Sequence, residues 1–177
     1  MVGAQATGRT RQDGQGLLGI YLNDHLAGAT GGVGLARRVA AARRREEVGD
    51  ALWHFAVDVA ADRAALLEIM AALGVPVRAY KVCAGWIGEK AGRLKLNGRL
   101  LSRSPLSSLE ELEMMRLGVT GKAAGWRTLQ LLADTDPRLD RERLDELIAR
   151  ADSQLGLLEG LRVRAARLAL GRGPTGA

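Results

Sequence analysis

Four polar side chains fall where helical spacing calls for apolar ones: His25, Asp62, Lys122 and Gln154. A carboxylate carried into a helix bundle is costly or protonated unless a cation meets it, and a lysine opposite neutralises it directly. Asp62 and Lys122 each lie roughly 15 residues into their helices, so helices starting at the same end of a bundle would bring the two to one height. Two readings stay open, an interior ion pair of Asp62 with Lys122 or two separate side chains that each reach toward solvent, with His25 as a further interior polar group. Another set, His54, Asp58 and Asp62, follows at i, i+4 and i+8. These types can ligate a metal and share one side of a helix. Only Asp62 falls on core-facing positions, so solvated or paired side chains account better for the other two.

The run Gly28-Ala-Thr-Gly31-Gly-Val-Gly34 has the glycine spacing of a dinucleotide-binding turn. That turn needs a buried strand before it. Here Asn23, Asp24 and His25 precede it instead, and no Tyr-x-x-x-Lys follows. The expectation is a helix whose glycines, with Ala29 and Ala36, allow close approach to its neighbours, offsetting about 1 kcal/mol lost per glycine relative to alanine. No Gly-x-Ser-x-Gly, Walker loop or Cys-x-x-Cys is present. Trp53, Trp86 and Trp126 could line a pocket, but Trp126 sits on a core seam, where packing explains it.

Four helices would position these residues. The chain holds 29 Leu and 28 Ala against 4 Ile, with 3% aromatics, and unbranched side chains favour helix over strand. The first helix spans about residues 15–45, with Leu18, Leu22, His25, Ala29, Gly32, Ala36 and Val39 on its seam. The second, about 48–73, carries Leu52, Phe55, Val59, Asp62, Leu66, Ile69 and Leu73 in alternating steps of three and four. Gly74-Val75-Pro76 ends it. The third, about 105–133, places Leu112, Met115, Val119, Lys122, Trp126 and Leu129 on one side. Asp136-Pro137 opens a fourth over about 137–170, with Leu144, Leu147, Ala151, Gln154, Leu158, Leu161, Ala165 and Leu168 inward. Short joints make the first two helices, and the last two, antiparallel pairs. Residues 75–104 are too long for a turn, and Tyr80, Cys83, Trp86, Ile87, Ala91 and Leu94 could form one side of a short helix within them. Such a crossover makes the second and third helices parallel.

Two antiparallel helical hairpins joined by one long crossover resemble the ferritin-like superfamily of four-helix bundles. The resemblance covers about residues 15–170 and rests on helix lengths and order. It implies a di-iron or di-manganese site built from glutamates and two Glu-x-x-His pairs. No Glu-x-x-His occurs, because Leu22 precedes His25 and Ala51 precedes His54 at that spacing. No family metal ligand carries over, and no cofactor is expected.

One domain is expected over 15–170, with disordered tails at 1–14 and 171–177. The N-terminal stretch has no apolar core of a signal peptide, Cys83 is the sole cysteine, and no apolar run reaches a membrane span, so the expected location is cytoplasmic. Net charge is +6, and residues 75–105 carry all of it: Arg78, Lys81, Lys90, Arg93, Lys95, Arg99 and Arg103 against Glu89. Three functions follow as alternatives. The first is a metal-free, non-catalytic ferritin-like bundle acting through protein or small-ligand contacts. The second is a divergent metal-binding oxidase or metal-storage protein. The third is a protein bound to nucleic acid or an acidic partner through the basic stretch. Self-association is compatible with each.

Overall fold

The computed structural model describes the backbone of residues 3–78 and 105–171, and side chains over 16–78 and 106–171. Four helices make up the described fold: α1 (Gly3–Ala42), α2 (Gly49–Ala72), α3 (Pro105–Ala133) and α4 (Arg141–Leu170). No strand occurs among the described residues, and no described helix is long and apolar enough to cross a membrane. The basic stretch and the short helix expected within 79–104 lie outside the described residues, as does most of the expected C-terminal tail.

Two boundaries differ from expectation. α1 begins at Gly3 instead of following a tail over 1–14. Ala4, Gln5, Ala6, Arg9, Arg11 and Gln12 are acceptable helix residues, and no proline interrupts them. α4 begins at Arg141, not 137, because Asp140 is its cap: the Asp140 side chain accepts from the Arg143 backbone N–H at 3.1 Å. Asp136 instead folds the preceding turn.

α1 packs on α2 and α3 on α4, and α1 also packs on α3. Polar contacts at the ends set the directions. Arg138, just past α3, donates from Nη1 to the Leu73 carbonyl at the end of α2, at 3.1 Å. At the other end Arg164 of α4 pairs with Glu47, just before α2, at 2.7 Å. α2 and α3 therefore run parallel. α2 stops in a Schellman arrangement: Gly74 has φ +69, its N–H reaches Ala71 O, and the Val75 N–H reaches Met70 O. Only glycine adopts that backbone without strain. The chain then turns toward α1. Buried Asn23 donates to Gly19 O and Pro76 O, at 2.8 and 3.1 Å, and accepts from the Arg78 N–H at 2.7 Å.

The core follows the seams except at the end of α4, where Leu168, expected inward, is 75% exposed. Leu22, Ala36 and Val39 of α1, Leu52, Phe55, Val59 and Leu66 of α2, Leu112, Met115, Val119, Trp126 and Leu129 of α3, and Leu144, Leu147, Ala151 and Leu158 of α4 are all buried. Their burial removes apolar area from water at about 25 cal/mol per Å².

The α3–α4 turn is tied down by charge. Asp136 accepts from the Arg138 backbone N–H and, at 2.6 and 2.8 Å, from its guanidinium. These bonds hold the Asp136 pKa down, from its ordinary 3.8 to about 2. A depressed carboxylate contributes stability in full above the unfolded value and loses it as pH falls through the folded one. Asp136→Asn should therefore flatten the loss of stability between pH 3.8 and about 2. Denaturant titrations of both proteins across that range check this; identical slopes would contradict it.

Candidate ligand-binding groove and polar centre

Asp62, 2% exposed, is the hub of the bundle centre. The Lys122 ammonium of α3 donates to Asp62 Oδ2 and to Gln154 Oε1 of α4. Gln154 Nε2 returns a hydrogen bond to the same Asp62 oxygen at 3.0 Å. Arg150, one turn before Gln154, donates from Nε to Asp62 Oδ1 at 2.7 Å, and its Nη2 lies 2.5 Å from that oxygen without hydrogen-bond geometry. Asp62 and Lys122 are thus in contact. Arg150 was not among the residues singled out from sequence; it lies beside the inward seam of α4, four residues before Gln154, and its long side chain reaches the centre.

Burial pushes the Lys122 pKa below its ordinary 10.5. The Asp62 carboxylate and its hydrogen bond oppose that shift, Arg150 adds to it, and Asp58 opposes it through space. Asp62 has both oxygens engaged by cations and an amide, a poor arrangement for ligating a metal ion, which needs those lone pairs free. His54 is exposed and Asp58 half-buried, and among the described residues no three His, Cys, Asp or Glu side chains group to hold a metal. The di-metal centre implied by the family resemblance does not fit these residues.

His25 stands apart from this cluster, half-buried in α1. Its ring packs edge-on to Tyr21, with centroids 4.5 Å apart, and abuts Gly125 of α3. Desolvation lowers its pKa from 6.5, against a smaller opposing effect of Asp24, so the ring is neutral at pH 7. A Cβ at Gly125 would lie 3.0 Å from the His25 ring. Beside it, the Tyr21 hydroxyl of α1 reaches Thr128 Oγ1 of α3 at 3.3 Å.

Residues of α1, α2 and α3, His25 and Gly125 among them, line a cavity of about 860 Å³. Gly28, Gly31, Gly32 and Gly34 line it from α1, and Gly118, Gly121 and Gly125 from α3; Phe55, Val59, Asp62 and Leu66 of α2 also line it. No family model, curated protein or solved structure matches this chain. The groove must therefore be read from its own chemistry.

At Gly28, Gly32 and Gly34 the expectation that the α1 glycines allow close helix contact is not met among the described residues. At Gly28, Gly32, Gly34, Gly118 and Gly121 an added Cβ would meet no described atom within 4 Å. The helix-propensity loss at these positions is not recovered by packing among the described residues. What missing side chains do there is widen a groove. Close approach is instead made by Gly125, which the sequence reading left unremarked.

Alanine is the direct probe of this open space. Gly118→Ala and Gly121→Ala should each stabilise the protein by about 0.8–1 kcal/mol, the intrinsic helix gain. Denaturant unfolding measures this, and a loss of stability would mean that something packs against these positions.

Proposed function

We propose that this chain is a metal-free bundle of the ferritin-like kind that binds a small, largely apolar ligand between α1 and α3. Two hairpins with α2 parallel to α3 support the fold assignment. The observation that carries the function is the pairing of glycine-lined faces on both α1 and α3 along one apolar cavity. Its volume lies within the ~300–1,000 Å³ usual for small-molecule sites, which combine apolar lining with a few polar groups. Leu22, Phe55, Val59, Leu66, Met115 and Leu129 supply the apolar surface, and Lys122, Asp62 and His25 the polar groups.

The role is binding, not catalysis. Asp62 is held by three donor side chains, and neutral His25 packs against Tyr21 and Gly125, leaving no nucleophile with an adjacent base among the described residues of the groove. The test is fluorescence titration with uncharged N-phenyl-1-naphthylamine, whose emission rises in apolar surroundings. Saturable one-to-one binding is expected, and Gly121→Leu, which places a side chain in the groove, should weaken it by about tenfold or more. Equal binding to both proteins, with equal helix content, would refute the reading.

A further inference from the structure

We propose that the α1–α3 groove selects a ligand with an apolar body and a single anionic head, and that the head is held at Lys122. This rests on the groove being a ligand site. Three observations carry it to a ligand class.

The first is the charge at the bundle centre. Two cations, Lys122 and Arg150, face one hydrogen-bonded carboxylate, Asp62, leaving one positive charge in excess within that cluster. Arg150 by itself can balance Asp62, so Lys122 is the surplus cation. Asp58 acts on Lys122 only through space and is itself half-exposed, where solvent screens it.

The second is unspent donor capacity. An ammonium has three N–H donors, and the acceptors of Lys122 among the described residues are Asp62 and Gln154. Lys122 also lines the groove, and its two described acceptors leave one of its three donors without a partner among the described residues. Trp126 lines the same cavity, and its buried Nε1 has no acceptor among the described residues.

The third is the sign of the other charges along the groove. Arg38 and Arg63 line it beside Lys122; the anions that line it are Asp24 and the already paired Asp62. Arg63 spends its Nε on Thr30 Oγ1 and keeps its charge. His25 lines the groove from α1 next to Asp24, and burial holds its pKa below the ordinary 6.5. A cationic head would meet net repulsion along this path, and a neutral head would leave the cluster's excess positive charge unmatched. A carboxylate on an acyl chain matches both the apolar lining and the surplus cation, with a charge-assisted hydrogen bond in a site of low dielectric.

The experiment compares three probes of one chain length on the full protein: dodecanoate, dodecanol and dodecyltrimethylammonium, each below its micelle concentration. Binding is read by calorimetry. A second readout is quenching of Trp126 by 11-bromoundecanoate in Trp53→Phe/Trp86→Phe protein. Dodecanoate should bind roughly tenfold or more tighter than dodecanol, the usual value of a hydrogen bond to a charged group, with the ammonium probe weakest. Lys122→Met should erase the preference for the carboxylate, and Lys122→Arg should keep it. The probe comparison on unaltered protein stands even where Lys122→Met fails to fold.

If dodecanol binds as well as dodecanoate, and Gly121→Leu blocks both, the groove reading survives and the anionic-head inference falls. Should no probe bind while Gly121→Leu lowers the melting temperature or dissociates a dimer, protein atoms fill the groove and both readings fall.

Discussion

Asp62→Asn lowers folding stability by about 3–5 kcal/mol, the usual effect of removing one partner from a buried charge pair. The magnitude follows from what is left behind. Lys122 and Arg150 remain inside the bundle facing an amide that cannot neutralise either, and one amide hydrogen pair points at donors. Lys122→Met is expected to cost clearly less, because Arg150 and Gln154 still satisfy Asp62. In a double-mutant cycle the two losses are therefore not additive: the Asp62→Asn defect shrinks when Lys122 is already Met. Denaturant unfolding of the four proteins gives the coupling, and strict additivity would contradict the ion-paired centre.

Gly49→Ala is the second large effect, a destabilisation of about 2–3 kcal/mol, at the upper end for a small overpacking change. Its Cβ would lie 2.7 Å from Arg44 O and 2.8 Å from Arg43 O. These are backbone carbonyls of the tight α1–α2 joint, so no rotamer change relieves the clash. The joint must open, and with it the Gly49 N–H bond to Glu46 O at 2.9 Å. The contrast with Gly118→Ala and Gly121→Ala is diagnostic: one substitution type has opposite signs at positions the sequence alone does not distinguish. Thermal melts showing Gly49→Ala as stable as the parent would mean this joint is not built as described.

That contrast also marks where sequence reading stops. The seams were legible because a step of three or four residues places side chains on one helical face, and residues such as Leu52, Phe55, Val59 and Asp62 are buried as their spacing predicts. Gly74 was legible for the same local reason, since a glycine before Val75-Pro76 is a helix-ending signal. Asp62 and Lys122 stood out as polar residues on apolar seams. Arg150 did not, because a long side chain reaches the centre from beside the seam, and 28% of it remains exposed. The groove was misjudged for a different reason. Glycine in a helix fits both tight packing and empty space, and only the neighbouring helix decides between them. The start of α4 was misplaced because Asp136-Pro137 is a strong local start signal, whereas the bond from the Arg143 N–H makes Asp140 the cap.

The most direct test of the ligand-binding groove is amide chemical-shift mapping during titration with N-phenyl-1-naphthylamine. Glycine amides report from both groove-lining helices without altering them. The shifts should concentrate at Gly28, Gly32, Gly118 and Gly121, with the Trp126 indole N–H moving in step. Shifts centred instead on the exposed outer residues of α2, where Trp53 is 62% and Val57 49% exposed, would place binding on a different face and contradict the groove as the functional site.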